Sequence, residues 1–96
     1  MAVYVTPLRQ THDGVRAILR ADTPQALAVM ALTLDLDLSA LNEPNTYRAG
    51  YDLLPHEREA ALASGARGVS FQQMRDLLDA WRMARFTKAR QMEDLL

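Results

Sequence analysis

Apolar positions in the second quarter of the chain recur at three- and four-residue steps. Leu27, Met30, Ala31, Leu34, Leu38 and Leu41 form that series, the mark of a helix with one face turned to a core. Thr23-Pro24 just ahead of it reads as a helix start, a capping hydroxyl followed by proline at the first helical position. The same segment carries a rival pattern. Leu32, Leu34, Leu36 and Leu38 alternate with Thr33, Asp35, Asp37 and Ser39, the period of a half-buried strand. Leucine lacks the β-branch that strands favour and the cap precedes the run, so helix is the expectation across residues 31–38 and strand the alternative.

A second stripe, Phe71, Met74, Leu77, Leu78, Trp81 and Ala84, follows Ser70 and Gln73. These last two match the capping box, which predicts a helix starting at Phe71. Between the two stripes, Asn42-Glu43-Pro44-Asn45 breaks the chain, and Thr46 to Tyr51 could make one short helical turn closed near Gly50. Pro55 then opens a short helix with Glu57 and Glu59 in its first turns, where carboxylates favour the positive end of the helix dipole. Gly65 stands where a residue just past the C-cap is expected. At the N-terminal end Val3, Tyr4 and Val5 favour an extended arm over residues 1–6. Thr6-Pro7 repeats the cap-and-proline signal and predicts a helix from Pro7 to Arg20, with Leu8, Val15, Ile18 and Leu19 near one side. Within it, Asp13-Gly14 could equally be a turn. The expected fold class is all-α: one helical domain over residues 1–96, a compact bundle of four to five helices with a short extended N-terminal arm.

Composition agrees with an ordinary globular domain, at 49% hydrophobic and 24% charged residues over 96 positions. A chain of that length buries roughly 60–70% of its unfolded surface, enough for one core. The net charge of −1 creates no global field toward nucleic acid or an anionic membrane. Without cysteine there are no disulfides, thiol nucleophiles or thiolate metal sites. The N-terminal residues lack the pattern of a signal peptide, no run approaches the ~18 apolar residues of a membrane span, and a cytoplasmic location is the default expectation.

Candidate chemistry is sparse. His12 and His56 have no second histidine or carboxylate at a tight metal-ligand spacing, so no metal and no cofactor is expected. Asp35 and Asp37 would lie roughly 200° apart on a helix and read as a solvated face. Gly65-Ala66-Arg67-Gly68 precedes a helix start but lacks the Gly-Lys-Ser/Thr of a nucleotide loop, and reads as an interhelix turn. His56 with Glu57 or Glu59 is the one acid–base pairing available, and adjacent surface residues without a pocket do not make a site. Arg82, Arg85, Lys88 and Arg90 cluster near the C-terminal end, and with Arg75 they form the candidate surface for a small nucleic-acid-associated regulator. Met83, Phe86 and Met92 do not extend the Trp81 stripe, and they are the candidate partner-binding residues.

One resemblance to a known family spans about Gln25 to Trp81. A leading helix is followed by Tyr47-Arg48-Ala49-Gly50-Tyr51-Asp52-Leu53-Leu54-Pro55-His56-Glu57-Arg58-Glu59-Ala60-Ala61-Leu62, a small-residue turn with Gly65 and Gly68, and another helix from Phe71. This outline resembles the LigA-like small-subunit family of protocatechuate-type extradiol dioxygenases. The resemblance implies an all-α accessory domain. In those dioxygenases the large subunit supplies the iron ligands and the small subunit covers the active site. LigA-like domains also serve as recognition modules in peptide-modifying systems. The leading functional expectation is therefore a non-catalytic accessory or recognition protein that binds a larger enzyme subunit or an identical chain.

Overall fold

Val3–Val5 is extended as expected, but as one strand of a β-hairpin, and the helix expected from Pro7 to Arg20 does not form. In the computed structural model, which describes the backbone of residues 2–94 and the side chains of residues 2–84, strands β1 (Val3–Val5) and β2 (Arg9–Thr11) pair antiparallel with β3 (Gly14–Ala21). His12-Asp13 turns the chain, and Gly14 takes a φ of 107° that a side chain would strain. Thr11 Oγ1 donates to the Gly14 carbonyl at 2.7 Å and accepts from the Asp13 amide at 3.2 Å, so the turn is tied on its inside. Of the two readings of Asp13-Gly14, the turn is the one found.

Thr6 and Pro7 do not start a helix. From the Val5–Leu19 pair to the Arg9–Arg16 pair the first arm spends one more residue than β3, which is a β-bulge. Proline offers no amide to the ladder. Thr6 fills the gap, its amide donating to the Ile18 carbonyl at 3.0 Å and its Oγ1 accepting from the Ile18 amide at 2.9 Å. The hydroxyl that was expected to cap a helix thus stands in for a strand partner.

Helix α1 (Pro24–Thr33) has the expected start, with Thr23 accepting from the Ala26 amide at 3.1 Å. It stops earlier than the leucine series implies. The Asp35 amide donates to Leu32 at 3.1 Å and the Leu36 amide to Ala31 at 2.9 Å, the paired bonds of a Schellman ending. Asp35, with φ at 55°, holds the left-handed position where glycine is usual. Neither rival reading of residues 31–38 survives whole: helix runs to Thr33, and a 3-10 turn follows at Leu38–Ala40. No strand forms there.

Thr46 to Ala49 is a turn, and the next element is strand β4 (Tyr51–Leu53), paired antiparallel with β3 on the edge away from β1. Helix α2 (Pro55–Ala63) follows. The Glu57 carboxylate accepts from the Leu54 amide at 2.7 Å, and the Leu54 side chain has no atom to return that bond. Gly65, at φ 105°, ends it as expected, with the Ala66 amide donating to Ala61 at 2.9 Å. Arg67–Gly68, expected as a plain turn, adds a short strand β5 parallel to β1. Ser70 and Gln73 then close a full capping box, at 3.0 and 2.8 Å, on helix α3 (Phe71–Asp94).

The fold is therefore a mixed α/β domain: a five-stranded sheet with three helices among the described residues. The all-α bundle is overturned, and with it the all-α fold that the family resemblance implied, since its tyrosine-containing segment is strand β4. The cause is local. Ala17, Leu19 and Ala21 alternate with Ile18 and Arg20, a period of two that a Pro7–Arg20 helix reading passes over. Ala17, Leu19, Val5, Tyr51 and Leu53 share one face and are buried, and Leu27, Met30 and Ala31 of α1 and Ala61 of α2 close on them. Each fully buried leucine or valine there contributes about 1.5–3 kcal/mol.

The two left-handed helix endings give a matched test. Asp35→Gly should stabilise the fold by about 0.5–1 kcal/mol, and Gly65→Ala should destabilise it by about 1 kcal/mol or more. Urea unfolding followed by circular dichroism reads both. A destabilised Asp35→Gly variant would refute the assignment of strain at that ending.

Candidate functional site

The alternation of β1 and β3 puts Tyr4, Ile18 and Arg20 on the face away from the core. Helix α3 crosses part of that face. Trp81 packs on Tyr4 with ring centroids 6.0 Å apart and planes at 51°, a tilted geometry aromatic pairs favour. Ten residues earlier on the helix, Phe71 lies under the Arg9 guanidinium at 5.8 Å, a cation–π distance. Met74, between these anchors, is buried. The helix thus follows the first hairpin arm and leaves the β3–β4 side of the face uncovered.

Two grooves result. The larger, about 580 Å³ and open, lies at the end of the sheet where β3 runs into α1. Leu27 and Ala28 of α1, Leu41, Tyr47 and Tyr51 line it, and Trp81 and Ala84 of α3 overhang it. At its edge the Asp22 carboxylate accepts from the Ala2 amide at 3.1 Å, and the Asp22 amide donates to the Ala2 carbonyl at 3.1 Å, fixing the end of β1. The lining is mostly apolar.

The smaller groove, about 320 Å³, lies on the uncovered side of the sheet's second face. Its floor is Gly50, where a Cβ would stand 2.6 Å from the Leu19 carbonyl oxygen and 3.0 Å from Arg20 Cγ. No side chain fits there. Arg20, only 7% exposed, donates from Nε to the Arg48 carbonyl at 3.2 Å. Arg48 Nε meets Glu43 at 3.4 Å, and Asn42 Nδ2 donates to Asp52 at 3.2 Å. Burial, and then Arg48, lower the pKa of Arg20 below the usual arginine value, while Glu43 and Asp52 act the other way.

One loop walls both grooves. Asn42 and Gly50 exchange backbone bonds of 2.8 and 3.2 Å and close residues 43–49 into a compact excursion. Glu43 and Asn45 sit inside it at φ of 50° and 65°. Asn45, Thr46, Tyr47 and Ala49 face the larger groove, and Asn42, Glu43, Arg48 and Gly50 the smaller.

Among the described residues, none of those singled out from sequence as site candidates lines either groove. His12 is at the exposed hairpin tip, 3.5 Å from Asp13, and His56 is exposed on the first turn of α2. Glu57 is spent on the Leu54 amide, and Glu59 pairs with Arg58 at 3.6 Å. Asp35 and Asp37 are exposed as expected. Asp37 caps the 3-10 turn, accepting from the Ser39 hydroxyl at 2.7 Å and its amide at 3.0 Å, and these bonds lower its pKa. Their contribution to stability is present above the ordinary carboxylate pKa and is lost as pH falls through the lowered one. Arg75 is exposed, and Arg82 is exposed and 3.8 Å from Asp79. Met83 is 58% exposed. Phe86, Met92, Arg85, Lys88 and Arg90 lie outside the residues whose side chains are described.

Arg20, Arg48, Tyr47 and the groove role of Trp81 went unread. One signal was available: Arg20 is the lone charge in Ala17-Ile18-Leu19-Arg20-Ala21, and a strand reading places it opposite Leu19. Comparison with protein-family models, curated proteins and solved structures gives no match. Among the described residues, no group of three or more histidine and acidic side chains is arranged to hold a metal ion, and no helix is long and apolar enough to cross a membrane.

The Tyr4–Trp81 contact is testable because Trp81 is the chain's only tryptophan. Tyr4→Ala should shift its emission to the red and increase acrylamide quenching. The cost in stability should be about 1–3 kcal/mol, combining ring burial and the aromatic pair. Unchanged emission would mean that α3 is not anchored there.

Proposed function

We propose that this chain is a non-catalytic accessory or recognition domain that seats an apolar segment of a partner protein in the groove between α1, the 42–50 loop and α3. The partner is a larger subunit or a second copy of the chain, in a cytoplasmic setting. The observation that carries the reading is the groove lining. Aromatic side chains from three segments line it, Tyr47 of the loop, Tyr51 of β4 and Trp81 of α3. Tyr51 and Leu27 are buried at its base, and the half-buried Tyr47, Leu41 and Trp81 present the stiff apolar surface that anchors protein contacts. A monomer gains nothing from leaving such a surface open. An enzyme large subunit is one partner that would satisfy it.

Ala28 lines the groove and is exposed on α1, so Ala28→Arg blocks the groove without cutting into the core. Tagged wild-type protein should recover a stoichiometric partner from its native extract, or form a dimer by light scattering. Ala28→Arg should lose that association at least tenfold, with the melting temperature nearly unchanged. Equal recovery by the two proteins, or a monomer that recovers nothing, would overturn the reading.

A further inference from the structure

We propose that the smaller groove is a carboxylate-binding site, anchored by the Nη edge of Arg20 and completed by Arg48. It is independent of the apolar groove and its partner.

The argument begins with burial. An arginine as enclosed as Arg20 is normally matched by a carboxylate, because burying a charge without a partner is unfavourable. Among the described residues no acid lies within ion-pair distance of it. Its single hydrogen bond comes from Nε. No fully buried side-chain nitrogen lacks a partner, so the Nη groups, which make no hydrogen bond, reach the groove surface. The two nearby acids are engaged elsewhere, Glu43 with Arg48 and Asp52 with Asn42. They moderate the charge of Arg20 from a distance and do not occupy its fork.

The geometry also selects the ligand. A guanidinium edge presents two parallel donors that match the two oxygens of a planar carboxylate. Arg20 and Arg48 balance Glu43 and Asp52 in charge, so a monoanion meets a neutral rim, whereas a phosphate dianion meets two acids at close range. Gly50 leaves the floor clear beside the Arg20 stem. A carboxylate on a small molecule and one at the end of a peptide share this chemistry.

The test titrates sodium acetate against sodium chloride at equal ionic strength, with inorganic phosphate as a second control, and follows the Arg20 Nε–Hε resonance. Acetate should shift it saturably, and chloride and phosphate should not. A short peptide with a free C-terminal carboxylate, compared with its amidated twin, separates the sources. Tighter binding than acetate marks a chain terminus, and equal binding marks a small acid. Arg20→Lys keeps the charge but loses the fork, and should weaken acetate about tenfold. Asp52→Asn, at an exposed position, should tighten acetate about two- to fivefold by removing a like charge, and it reads the site even if the Arg20 variant fails to fold. Acetate acting no more strongly than chloride, phosphate binding as tightly as acetate, or an unchanged titration in Asp52→Asn would overturn the assignment.

Discussion

Everything in this domain depends on which side chains of β3 face the core. Leu19 is fully buried between Val5 of β1 and Tyr51 of β4, so the strand is held on both edges at the same position. Because side chains alternate, that pairing commits Ala17 and Ala21 to the same face and Ile18 and Arg20 to the other. A slip of one residue would bring Arg20 under α1 and send Leu19 to the surface. The bulge at Thr6 is the device that keeps this parity. Pro7 breaks the ladder, Thr6 repairs it from its side chain, and Arg58 of α2 donates to the Thr6 carbonyl at 2.9 Å, tying the helix layer to the repair.

The two faces are finished differently. Helices α1 and α2 close the first with aliphatic side chains. The second is covered along the first hairpin arm by a helix held through Tyr4–Trp81, Arg9–Phe71 and Met74, and beside Arg20 by the 42–50 loop. At ~1.5 Å per residue, α3 is about 36 Å long, longer than the strand it follows, and it runs on past the end of the sheet. One groove forms under that overhang and the other on the part of the face α3 does not reach. The first needs α3 as its roof, and both need the 42–50 loop as a wall.

Local signals in the sequence were legible where a few neighbouring residues decide the structure. The Thr23 cap, the Ser70–Gln73 box and the Gly65 ending are short-range, and each is found where the residues place it. The sheet was not legible, because its decisive facts are pairings between distant segments. β1 with β5 and β3 with β4 join residues that no window along the chain brings together. The leucine run misled for a different reason. Asp35 adopts the left-handed conformation without being glycine, so the helix ended with no residue-type signal to mark it. The grooves were hidden by the same error. Once residues 7–20 were read as helix, Arg20 was a surface charge, and Trp81 was only one more apolar position in a stripe.

The loop from Asn42 to Gly50 is a wall common to the two grooves. Its ends are joined by the Asn42–Gly50 bonds, its interior is held by the Arg48–Glu43 pair, and Thr46 Oγ1 donates to the Glu43 carbonyl at 2.8 Å. Side-chain bonds from Arg20 Nε to the Arg48 carbonyl and from Asn42 Nδ2 to Asp52 tie the loop to the sheet. Tyr47, the neighbour of Arg48, lines the apolar groove. The bond that fixes Arg20 beside the smaller groove thus also places Tyr47, one residue away, on the wall of the larger one. Glu43 holds a left-handed backbone that suits glycine better, and it is kept there by its pair with Arg48 and the bond from Thr46, so side-chain ties and not local backbone preference set the path of this shared wall.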